Sequence, residues 1–134
     1  MKKNAVDTGK APRAIGPYSQ AVSVSSPKEW LFVSGQIPID PNTSKLILGG
    51  IAIQAQRVLK NIEAILEKGG YSKRDLIRLE IFLTDFQNFK EVGDLLSEWL
   101  KEISILPARQ TIEVKALPLQ ASIEISCIAA KGDA

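Results

Sequence analysis

The chain contains no histidine and one cysteine, Cys127. The first absence removes imidazole acid–base chemistry, histidine-activated nucleophiles and most zinc sites. The second removes any disulfide within the chain and any CxxC pair. Long apolar runs are missing too: LILGGIAI (46–53) is the most apolar stretch, far short of the roughly 20 residues a spanning helix needs. Lys2 and Lys3 are not followed by an apolar segment, so no signal peptide is expected. A cytoplasmic protein without membrane partners is the expectation. The glycines form neither GxGxxG nor a P-loop. A net charge of +2 is too small and too evenly spread to point to nucleic acid.

What remains is an ordinary globular composition. The 134 residues, 45% apolar and 24% charged, fit one domain spanning 1–134. Residues 1–17 carry Gly9, Pro12, Gly16 and Pro17 and read as irregular, with 1–13 an arm ahead of the domain. Alternation from Tyr18 to Ser25 and the apolar run WLFVSG (30–35) predict a hairpin turned at SSPKE, the second strand buried on both faces. LIL (46–48) is a candidate short strand. Ile51, Ala55, Val58, Leu59, Ile62, Ile65 and Leu66 form one helical stripe, stopped by Gly69-Gly70. Residues 75–85 alternate, with Ile77, Leu79, Ile81 and Leu83 on one side. A second helix follows, with Asn88 and Glu91 as a capping pair. Gly93 lies inside it and costs about 1 kcal/mol relative to alanine. Strands at 109–116 and 122–130, joined by LPLQ, complete the chain. The order predicts an α+β fold, a single mixed sheet with two helices on one face.

Two helices cover only one sheet face. A bare face carrying Val22, Val24 and Phe82 beside polar residues is too adhesive to stay exposed, which implies an oligomer packed sheet to sheet. If the last two strands form an antiparallel hairpin, Arg109, Thr111 and Glu124 share that face. A cross-strand ion pair worth a few tenths of a kcal/mol is the plainer reading. A guanidinium that grips a carboxylate through two bonds is the sharper one. Tyr18, after a Gly-Pro turn, either closes a strand end or stacks on a planar ligand. Ser34 and Gly35 either end a strand or cradle an anion. Cys127 reads as a core thiol, and Trp30 and Trp99 as packing residues. No metal-ligating cluster is visible.

The segments AIGPYSQAV, LFVSGQIPIDP, AQ…VLKNIEAILE, IFLTDFQNF, PARQTIEV…LP and IEISCIA, in this order, resemble the reactive-intermediate deaminase family (RidA, also called YjgF). The likeness runs from about Ala14 to Ala130. It implies a chorismate-mutase-like homotrimer with clefts between subunits for small 2-imino or 2-oxo acids. It also implies cofactor-independent hydrolysis of 2-imino acids to 2-oxo acids and ammonia. By resemblance, Arg109 binds carboxylate, Glu124 activates water, Tyr18 stacks, and Ser34 with Gly35 lines the cleft. Thr111 stands where the family often has cysteine, and Gly93 where it often has asparagine. Two other functions stay open: RNA binding or cleavage, which the charge does not favour, and 2-oxo acid binding without turnover.

Overall fold

In the computed structural model, which describes residues 1–133, two helices pack on one face of a four-stranded mixed sheet. The strands are β1 (Lys2–Val6), β2 (Ala21–Ser25), β3 (Glu29–Gln36), β4 (Ile39–Asp40), β5 (Lys45–Leu46), β6 (Leu76–Leu83), β7 (Ala108–Glu113) and β8 (Ile123–Lys131). The helices are α1 (Ile51–Lys68) and α2 (Phe89–Trp99).

Helix α1 forms as its pattern predicts. Ile51, Ala55, Val58, Leu59, Ile62 and Leu66 are buried on one stripe. Its end is a Schellman turn: Tyr71 N–H donates to Leu66 O (2.8 Å), Gly70 N–H to Glu67 O (3.0 Å), and Gly70 takes φ +82°. Helix α2 buries Val92 and Leu96, and Leu100 follows just beyond its end. The Trp99 indole N–H donates to Glu63 Oε1 of α1 at 2.7 Å, so Trp99 ties the helices while packing on the core. Asn88 makes no side-chain cap. The 3₁₀ turn Phe86–Asn88 that leads into α2 is capped by Asp85, whose carboxylate accepts from Gln87 N–H.

The main sheet runs β3-β8-β6-β7. Only β6 and β7 are parallel, because α2 lies between them in sequence and a parallel pair requires such a crossover. Leu79, Ile81 and Leu83 of β6 meet Ile123, Ile125, Cys127 and Ala129 of β8 under the helices. These side chains are fully or almost fully buried; truncating one such as Ile81 to alanine costs roughly 2–5 kcal/mol.

Several expectations give way here. Residues 1–13 are not wholly irregular: Lys2–Val6 is a strand, pairing with β2 from Lys2 opposite Ser25 to Val6 opposite Ala21. The predicted β2–β3 hairpin is absent. Ser26 at φ +53° turns the chain away, and Lys28 N–H bonds Lys131 O, starting β3 along β8 instead. The β1–β2 ribbon and the small β4–β5 hairpin stand outside the main sheet, so there is no single sheet. Lys3 Nζ donates to Arg74 O and Leu76 O, and Ser19 N–H to Pro107 O. These bonds tie the ribbon across the sheet end where β6 begins.

Strand β3 is buried on one face only. Val33 lies in the core, whereas Phe32 is 72% and Trp30 47% exposed. Trp30 is therefore no core residue; it stacks with Phe32 at 6.4 Å on the open face. A register irregularity between Leu76 and Arg78 puts Leu76, not Ile77, among the fully buried side chains. Finally, β7 and β8 are not a hairpin, because β6 lies between them. The link from β7 to β8 carries a 3₁₀ turn at Pro118–Gln120, with Leu119 and Gln120 at positive φ. That is enough chain for β8 to reach the far side of β6.

The buried Cys127 thiol has its pKa pushed up to about 12 by desolvation. The folded protein thus keeps the proton through a range where an unfolded chain, titrating near 9.0, has lost it. This contribution to stability is complete below pH 9 and disappears as pH rises through about 12. Thermal melts should fall more steeply between pH 9 and 11 for the native chain than for Cys127→Ala. A thiol reagent at pH 8 should label Cys127 only after unfolding.

Candidate functional site

Arg109 sits near the start of β7 and opposite Leu79 in the parallel ladder. Ladder partners project to the same side, so Arg109, Thr111 and Glu113 point toward the helix layer with Leu79, Ile81 and Leu83. There the Arg109 guanidinium carbon lies 4.7 Å from the Tyr18 ring centroid and 5.9 Å from that of Phe89. Both rings contribute a cation–π attraction. Tyr18 is held by local geometry: its N–H bonds Gly16 O at 2.8 Å, and Ser19 Oγ donates to Leu106 O at 2.6 Å. Gly16 lies close by: a Cβ there would come within 3.1 Å of Arg109 Nη2 and push the guanidinium by a few tenths of an ångström.

Burial lowers the Arg109 pKa from its ordinary value, opposed in part by the interaction with Tyr18. The ion pairs formed among the described residues involve Lys73, Arg78, Lys90, Lys101 and Lys131, not Arg109. A partly desolvated guanidinium cradled by two rings, with no carboxylate paired to it among the described residues, has the chemistry to accept an anion. A planar carboxylate matches its fork of donors.

The second group of expected residues lies elsewhere. Glu124 is paired with Phe82, which projects to the open face, opposite to Leu79 and Leu83. Its carboxylate packs on Gly35; a Cβ on that glycine would fall 2.5 Å from Glu124 Oε2. Ser34 and Gly35 occupy the irregular part of the β3–β8 ladder between Val33 and Gln36. Both are exposed. Arg109, Thr111 and Glu124 therefore do not share a face within one chain, because β6 is inserted between their strands. Tyr18 joins Arg109; Ser34 and Gly35 join Glu124. Gly93 is one helical turn beyond Phe89, and a Cβ there would meet nothing within 4 Å, so that side of the cradle has room. Among the described residues no group of three or more His, Cys, Asp or Glu side chains could hold a metal ion.

Two contributors escaped sequence reasoning. Phe89, the first residue of α2, was not singled out. Glu113 was not singled out either, yet its Oε1 accepts from Phe86 N–H at 2.9 Å. Phe86 stacks on Phe89 at 4.9 Å, so Glu113 anchors the turn that places Phe89 against Arg109. The period-two series Arg109, Thr111, Glu113 was the available signal.

The fold and this cradle define a small α+β protein with an arginine held between two aromatic rings on the edge strand of its sheet. Comparison with known proteins makes this particular. A family model described as Endoribonuclease L-PSP matches residues 8–131. The chain is 43% identical over 126 residues to a RutC family protein of Aquifex aeolicus, covering 94% of this chain and 98% of that one. It is 38% identical over 130 residues to human 2-iminobutanoate/2-iminopropanoate deaminase, covering 97% and 91% respectively. The crystal structure of E. coli TdcF with bound serine is similar at a TM-score of 0.72 and 34% identity, over 96% of this chain and 99% of that one. The chain belongs to the Endoribonuclease L-PSP family, the RidA/YjgF family.

Gly35→Ala should displace the flexible end of Glu124 while leaving the backbone intact. We expect a new Glu124 side-chain position in the variant's crystal structure and a stability change within about 1 kcal/mol by denaturant melt. An unmoved Glu124 would contradict the contact.

Proposed function

We propose that the protein is a hydrolytic deaminase that converts small 2-imino acids to 2-oxo acids and ammonia. The observation that carries this reading is the unpaired Arg109 guanidinium between Tyr18 and Phe89. It would hold the substrate carboxylate in a water-poor cleft, fixing the adjacent C=N carbon for attack. Thr111, two residues along the same side of β7, offers a hydroxyl to the substrate. Gly93 leaves space for its side chain.

Glu124 is assigned the proton transfers. It takes a proton from water as the oxygen bonds to the carbon of the protonated imine, giving a neutral carbinolamine. It returns that proton to the amino group, then accepts the hydroxyl proton as the C–N bond breaks and the C=O forms; the departing ammonia takes up that proton as ammonium. An imine carbon is electrophilic already, so orientation and one carboxylate suffice, and the scheme draws on no cofactor or histidine.

Arg109 and Glu124 lie on opposite sides of the sheet, so one chain does not unite them. The reading therefore includes a homotrimer in which the Arg109 side of one subunit meets the Glu124 side of the next. Support comes from the open face, where Phe32 and Trp30 are exposed beside Phe82 and Glu124. Cytoplasmic residence belongs to the same proposal; among the described residues no helix is long and apolar enough to cross a membrane. RNA cleavage, suggested by the family description, gains no support from a net charge of +2.

Ammonia release should be measured with the imine generated in situ by a dehydratase. Arg109→Ala and Glu124→Gln should each lower the rate by at least about 100-fold. Mixing the two variants after co-refolding should restore activity, because about one quarter of randomly formed interfaces pair an intact Arg109 with an intact Glu124. Full activity in Arg109→Ala would overturn its role. Absence of restoration in the mixture would overturn the shared site. Carboxylate binding without turnover in the native protein would leave a 2-oxo acid binder in its place.

A further inference from the structure

A second cleft, of about 470 Å³, lies between the β3–β4 connection and α1. Its walls include Ile37, Ile39, Pro41 and Ile65, with Arg57 and Asn61 as the polar groups from α1. It reaches Gly35 at one end, but Tyr18, Phe89 and Arg109 take no part in its lining. The volume falls within the range of small-molecule sites, which are mostly apolar with a few fixed polar groups.

The polar groups here are fixed. Asn61 Nδ2 donates to Ile39 O at 2.9 Å, and Asn61 Oδ1 accepts from Arg57 Nε at 3.1 Å. This relay anchors the guanidinium on β4 through its Nε and leaves the two terminal nitrogens for a ligand. None of the ion pairs among the described residues involves Arg57. Held in place without a counter-charge, it lacks the ordinary reason for an arginine to be restrained on a helix surface. A helix-surface arginine supporting its own helix would pair with an acidic residue at i+4; Arg57 has Asn61 there, which orients it without neutralising it.

We propose that this cleft binds a short-chain aliphatic monocarboxylate, its carboxylate on Arg57 and its chain on the Ile37–Pro41 and Ile65 wall. The guanidinium excludes an amine by charge. An alcohol of the same length forfeits the charge-assisted bonds. Inorganic phosphate satisfies the guanidinium but leaves the apolar wall uncovered. The site shares only Gly35 with the residues of the deaminase reading, and its carboxylate holder is Arg57, not Arg109.

The test is amide chemical-shift titration of the full chain with hexanoate, hexan-1-ol and inorganic phosphate. Saturable hexanoate shifts are expected at residues 36–41 and 57–65, with hexanol and phosphate at least tenfold weaker. Arg57→Gln should weaken hexanoate at these resonances at least tenfold, Arg57→Lys less, and Arg109→Ala not at all. Native-like spectra of the unliganded variants control for folding. The proposal is overturned if hexanoate shifts no cleft resonance, if Arg57→Gln binds as tightly as the native chain, if phosphate matches hexanoate, or if the cleft shifts vanish in Arg109→Ala.

Discussion

The placement of β6 between the two strands that follow it governs the rest of this molecule. Helix α2 must be crossed before β7 begins, and a crossover of that length returns the chain parallel to β6. That leaves the other edge of β6 for β8, which pairs antiparallel and takes the centre of the sheet beside it. Every buried strand side chain under the helices comes from β6, β8 or Val33 of β3. The helix-covered side of the sheet is thus sealed at its middle, while the candidate site residues Ser34, Gly35, Arg109, Thr111 and Glu124 lie on the edge strands β3 and β7 and on the open side of β8.

The two edges are equipped differently. On the β7 side, the cation is desolvated but softened by aromatic faces, and its supporting shell reaches through Glu113 and Phe86 to the start of α2. Among the described residues no carboxylate pairs with this charge. On the β3 side, Glu124 rests against a glycine that permits contact no other residue would allow. The aromatic residues beside it, Phe32 and Trp30, remain open to solvent. Apolar surface of this kind is costly to leave hydrated and favours association.

Much of this was legible beforehand. The two helices announced themselves by long 3.6-residue periodicity, the glycine stop of α1 by chemistry, and the core strands by alternation. Arg109, Tyr18, Glu124, Ser34 and Gly35 were singled out by strand pattern and turn chemistry, and their roles came from resemblance to a family to which the chain belongs. Short-range pattern failed where partner choice decided the outcome. Tyr18–Ser25 reads as half of a hairpin with the next strand, yet β2 pairs backward with β1 because Ser26 turns the chain and β3 bonds β8. Trp30 reads as core, yet its position on an edge strand with one covered face leaves it exposed.

The sequence by itself determined the inventory: where the two helices and the core strands lie, and which chemistries the lack of histidine removes. Only the tertiary structure decided which side of the sheet each residue occupies. Strand periodicity specifies that alternate residues separate, but the side they take depends on register and on the neighbour strand. Swapping an assumed antiparallel β7–β8 pair for the observed β7-β6-β8 order moves Arg109 and Thr111 beneath the helices and leaves Glu124 on the open face.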